Sequence, residues 1–177
     1  MSSPAIPEPD YDDPREVYAF FGLAFYVAQV CEQGVVNLAV ALHARKVGNV
    51  TSAMLASLFA EQEGRTFGQV LRSARQLLGV PAALDSDMDR VLQLRNQLAH
   101  SFFPNRSEQL LSDTGRRKAI DELIDIIRFI KKVNTSLDSV WLSACYVLGV
   151  TKEALDAEVQ TWIDRAQRTD RESSSQI

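Results

Sequence analysis

The chain has 177 residues, enough for one domain with a substantial core and short of what two usually need. Hydrophobic residues make up 46% and charged residues 24%, an ordinary globular balance. The formal net charge is −4. It is concentrated at the start, where residues 1–16 carry Glu8, Asp10, Asp12, Asp13 and Glu16 against Arg15 alone. The remainder balances near zero, so a strongly basic nucleic-acid-binding body is excluded, though nucleic acid as a ligand is not. Cys31 and Cys145 both fall in apolar helical runs and read as buried thiols of a reducing compartment. With only His43 and His100 as histidines, no Cys/His spacing suits zinc, and no metal or cofactor is expected.

Residues 1–13, with three prolines and four acidic side chains, read as a flexible acidic tail. Pro14 suits the first turn of a helix running to about Lys46. That helix is apolar almost all round, which places it inside a bundle or in an oligomer interface. Gln29, Glu32, Gln33 and Asn37 interrupt it, which argues against a membrane span. No basic region followed by an apolar core marks a signal peptide, so the expected location is cytoplasmic. At 100° per residue Gln29, Gln33 and Asn37 form one stripe, with Glu32 beside it. These groups either face solvent, satisfy each other within the core, or form a polar wall beside a site. A buried Glu32 would need a partner, for which Arg95 is the candidate.

Gly48 and Asn49 end this helix. A second is expected from Thr51 or Ser52 to about Ala60 or Glu61. A third runs from Thr66 to Leu78 and is stopped by Gly79 and Pro81. The fourth begins near Asp85-Ser86-Asp87 and carries Met88, Val91, Leu92, Arg95, Leu98, Ala99 and Phe102 at helical spacing. Arg95 therefore sits on the apolar stripe. Pro104 requires the helix to end by Phe103. A polar loop spans 104–114, a long fifth helix runs from about Gly115 to Leu148, and a last one from Thr151 to about Arg168. Residues 169–177 read as a disordered tail. The expected architecture is all-α: one antiparallel helical bundle of five to six helices over residues 14–168.

The stretch with the most chemistry is Arg95-Asn96-Gln97-Leu98-Ala99-His100-Ser101-Phe102-Phe103. Histidine moves protons near neutral pH, and arginine binds phosphate with a planar fork. Together they suit RNA cleavage without metal. The imidazole would handle the 2′-OH or leaving-oxygen proton, and the guanidinium would stabilise the phosphate. In an unbroken helix, positions five apart differ by about 140°, so Arg95 and His100 would point apart, whereas Asn96 and His100 would share a face. The pair converges only if the helix loosens near His100, if Arg95 curls along the surface, or if two copies meet. His43, a lone histidine near the end of the first helix, reads as a C-terminal cap.

The Arg-Asn-x-Leu-Ala-His-x-Phe-Phe pattern resembles the Arg-x4-His motif of HEPN domains, and is similar to uncharacterised bacterial HEPN-like proteins. The resemblance covers about residues 15–148. It implies a metal-independent endoribonuclease of toxin or defence type, with Arg95, His100 and Asn96 as catalytic residues meeting across a homodimer. Glu32 and Gln29 would line the substrate side. It further implies RNA as substrate and a cognate antitoxin or partner protein. Branches paired with nucleotidyltransferase antitoxins carry His-x-Tyr, and Phe102 stands where that hydroxyl would be. The alternatives are a non-catalytic dimerisation or protein-interaction module, to which the acidic start and neutral body lean, and a ligand-binding bundle using the polar stripe.

Overall fold

The computed structural model describes residues 5–48, 51–77 and 82–174. Among them are six α-helices, two short 3-10 turns and no strand. The helices are α1 (Glu16–Val47), α2 (Ser52–Glu63), α3 (Phe67–Leu77), α4 (Ala82–His100), α5 (Asp113–Val147) and α6 (Lys152–Ser174). The 3-10 turns, Pro104–Arg106 and Gln109–Leu111, occupy the expected 104–114 loop. The expected stop at Gly79 and Pro81 lies outside the described residues, as do Asn49 and the final three residues. The described part of the last helix continues past Arg168, into the segment expected to be a disordered tail.

The local chemistry sets the ends. The Thr51 hydroxyl accepts from the Met54 amide at 3.3 Å, and the Ser112 hydroxyl from the Gly115 amide at 3.1 Å, capping α2 and α5. Gly48 and Gly149 take φ of +80° and +78° after α1 and α5, a region open to glycine and strained for other residues.

The core is an all-α bundle built on α1 and α5. Val17, Phe20, Ala24, Ala28, Cys31, Val35 and Leu38 of α1 pack with Ala119, Ile120, Leu123, Ile127, Ile130, Val133 and Leu137 of α5. α1 is the one described helix long and apolar enough to cross a membrane by length and composition, and a third of its most apolar window is buried in the bundle. α3 and α4 add Phe67, Val70, Leu71, Met88, Val91 and Leu98.

The bundle is not antiparallel throughout, as was expected. Val17 and Arg116 line one cleft, while an added Cβ on Gly34 would lie 3.0 Å from Leu137, so α1 and α5 run in the same direction. α4 runs against α1, because Phe21 meets Phe103 while Glu32 meets Arg95. Three helices intervene between α1 and α5, and α4, which runs against α1, leads directly into α5.

The stretch expected to be a flexible acidic tail is also different. Ile6 and Tyr11 pack against the core. The Tyr11 hydroxyl donates to Asp121 at 2.5 Å, Asp12 pairs with Arg117 at 2.5 Å, and the Arg117 guanidinium lies 5.4 Å from the Tyr11 ring centre. Two apolar side chains and complementary charge on α5 hold a segment whose composition reads as a tail.

Both cysteines are buried. Burial, then Asp138 and Glu32, pushes the Cys31 thiol up to about 12, and burial raises Cys145. At pH 8 a thiol near 12 is thiolate at about one part in 10⁴, against roughly one in four for an ordinary cysteine. Iodoacetamide at pH 8 should therefore modify neither cysteine in the folded protein and both after denaturation. Rapid native labelling of Cys31 would contradict its enclosure. The unfolded chain loses these protons near pH 8.5 and the folded chain holds them higher. Stability should therefore fall as pH rises above that value.

Candidate functional site

α4 stays helical through His100. The Ser101 amide still bonds the Gln97 carbonyl at 3.0 Å, and the Asn105 amide bonds Ser101 at 3.1 Å. Of the three conditions for convergence, a helix loosened by His100 is therefore not met. Phe103 even holds a helical backbone (φ −72°, ψ −46°) directly before Pro104, a conformation proline disfavours. Packing and hydrogen bonding over-determine it. Phe103 lies 4.7 Å from Phe21 and 5.6 Å from Tyr18 between ring centres, and meets Phe102 edge-on at 5.3 Å.

A continuous helix fixes where the motif side chains go. Arg95 turns toward α1, where its Nε lies 3.4 Å from a Glu32 carboxylate oxygen. This is an ion pair, but its geometry falls outside a hydrogen bond, and the Nε atom is buried without one. Both side chains are partly enclosed, 29% and 22% exposed. The terminal guanidinium nitrogens bond no described residue. Asn96 and His100 are both exposed, lie four residues apart on one face, and bond no described residue. At about 140° between them, Arg95 and His100 do not meet within one chain.

The α1 residues divide. Glu32 joins Arg95 as expected. Gln29 is exposed one turn earlier, and Gln33, also exposed, donates to Asn37 at 3.0 Å. The polar stripe therefore lies largely on the solvent side. Among the described residues, no group of three or more His, Cys, Asp or Glu side chains could hold a metal ion.

The segment after His100 is locked by an ion-pair network that the sequence reading did not foresee. Arg106 donates through Nε to Glu122 at 2.9 Å, pairs with it again through a terminal nitrogen, and donates to the Phe102 carbonyl at 3.0 Å. Its guanidinium also lies 4.3 Å from the centre of the Phe102 ring. Gln97 donates to the same carboxylate at 3.1 Å. Arg106 sits in a stretch that reads as a solvated loop, and its 12% exposure comes from the Phe102 ring, which no local pattern announces. This network fixes the helix end and hence the direction of His100. Compared with known proteins, the chain matches no family model, no curated protein and no solved structure.

Proposed function

We propose that this protein is a HEPN-like helical domain that works in the cytoplasm as a homodimeric, metal-independent endoribonuclease. Arg95 of one copy would act with Asn96 and His100 of the other. The observation that carries this reading is the state of the motif: His100 and Asn96 are exposed at the end of α4 and bond no described residue, while the Arg95 terminal nitrogens, on a different side, bond none either. A complete Arg/His set then requires a second molecule. α1 offers an uncharged strip for it. Gly22, Tyr26, Gln29 and Gln33 are exposed at helical spacing with Val30 beside them, and a Cβ on Gly22 would meet nothing within 4 Å.

In this reading His100 transfers the proton of the 2′-OH or of the leaving oxygen, and Arg95 holds the phosphate. Asn96 orients the imidazole or the phosphate. Glu32 positions Arg95 rather than touching RNA, and Gln29 stands at the substrate edge. One observation favours the second reading, a non-catalytic interaction module: the Arg95–Glu32 pair serves packing equally well.

The test is RNA incubated in EDTA with the wild type, His100→Ala and Arg95→Ala. Loss of cleavage in both variants supports the enzyme. Intact RNA with the wild type, or equal cutting by all three, removes it, and a dimer seen by sizing would then leave the interaction module.

A further inference from the structure

Tyr18 is 65% exposed, more than any other aromatic side chain among the described residues. Its ring lies on Phe103 with planes 28° apart, and Phe103 is itself held by Phe21 and Phe102. An exposed ring backed by a fixed aromatic cluster is a rigid, flat surface.

Its position follows from the chain. Phe103 comes three residues after His100, where α4 ends; the Ser101 amide bonds Gln97, the Asn105 amide bonds Ser101, and Phe103 keeps a helical backbone, so a helical-type turn joins the two. Side chains three apart on such a path are neighbours, with about 5–6 Å between Cβ atoms. The aromatic surface therefore begins beside His100. On its far side Tyr18 borders a cleft of about 210 Å³, lined also by Pro14, Arg15, Val17, Leu110 and Arg116. That is below the roughly 300–1,000 Å³ of drug-sized sites, so it suits one planar ring rather than a larger molecule. Arg15 is paired with Asp13 at 2.7 Å. Arg116 is paired with Asp113 and donates to the Leu110 carbonyl at 2.9 Å. Both cations are already paired within the chain, so the aromatic face is the part of this surface left for a ligand.

We infer that Tyr18, stacked on Phe103, is a platform for an unpaired nucleobase of single-stranded RNA placed next to His100. The inference rests on the ribonuclease reading for its ligand class and names the substrate form: a strand with free bases, since those of a duplex are already stacked on each other.

The experiment uses a fluorescein-labelled single-stranded RNA, its duplex form, and protein carrying His100→Ala so that the strand stays intact. Fluorescence anisotropy in EDTA should show single-strand binding in this parent and unchanged binding with Tyr18→Phe added. Tyr18→Ala should bind about 5- to 100-fold more weakly. The slope of affinity against salt should be the same in both, since no phosphate contact is lost. Tyr18 is exposed, so a thermal melt close to the parent's confirms that the fold is kept. Equal single-strand binding by Tyr18→Ala, duplex binding as tight as single-strand binding, or no binding to either form overturns the platform. The two readings fail separately. Tyr18-dependent binding by a wild type that cuts nothing removes only the nuclease. Cleavage that needs Arg95 and His100, with binding indifferent to Tyr18, removes only the platform.

Discussion

Mixing the Arg95→Ala and His100→Ala proteins should restore RNA cleavage that neither shows alone. Each variant by itself should lose about 10²- to 10⁴-fold in rate, the usual contribution of a positioned proton-transfer or charge-stabilising group. In a two-fold dimer whose sites each draw Arg95 from one copy and His100 from the other, a mixed dimer has one site with both native residues and one with neither. Random exchange makes half of the dimers mixed, so recovery should approach about one quarter of the wild-type rate. The measurement is the cleavage rate in EDTA after the two proteins are unfolded and refolded together. A site closed within one chain gives no recovery at any mixing ratio. Cleavage that is lost in both variants but never recovered would keep the chemistry and discard the second copy.

Gly115→Ala should lower stability by about 3 kcal/mol, at the upper end of overpacking effects. Gly115 is buried in the first turn of α5, where an added Cβ would overlap the backbone carbonyl of Gln109. The neighbourhood is tied from both sides. Ser112 caps the Gly115 amide and donates to the Gln109 carbonyl at 3.2 Å, and the Gln109 side chain donates to the Gly115 carbonyl at 3.4 Å. Backbone cannot yield by changing rotamer, so the 3-10 turn must move and the cap must break. For a domain of this size the expected fall in Tm is roughly 6–12 °C. Gly22→Ala is the contrasting case. Gly22 lies within α1 with open space where its Cβ would go, so alanine should be neutral or stabilise by up to about 1 kcal/mol. If Gly115→Ala melts with the wild type, the close contact described here is wrong.

The helices were legible because hydrophobic periodicity and caps are local. Thr51 or Ser52 was expected to open the second helix, and Thr51 caps it. Arg95 falls on the apolar stripe of its helix and Glu32 interrupts an apolar helix, and two such misfits of opposite charge are best accommodated together. Their pairing could therefore be named from the sequence. What was not legible depends on contacts between distant segments. The direction of α1 relative to α5 follows from how three intervening helices pack, and nothing in either helix encodes it. Tyr11 and Asp12 have the surroundings of a tail, and their partners Asp121 and Arg117 lie more than 100 residues away. Arg106 and Glu122 each look like solvated charges until Phe102 covers one of them. The divergence of Arg95 and His100 was visible as a condition. That α4 stays regular through His100 was not, because the proline that should have loosened the path is accommodated by the aromatic cluster.

The parallel pairing of α1 with α5 bears on how the chain is made. Gly34 packs against Leu137, about 100 residues later, so the centre of the core cannot close until most of the protein has been synthesised. At about 5–20 residues per second, α1 spends on the order of 5–20 s with Phe20, Val35 and Leu38 uncovered. During that interval the most apolar helix of the chain has only α2, α3 and α4 to shelter it. Conditions that slow translation between residues 50 and 137 should therefore raise aggregation more than those that slow it after residue 148.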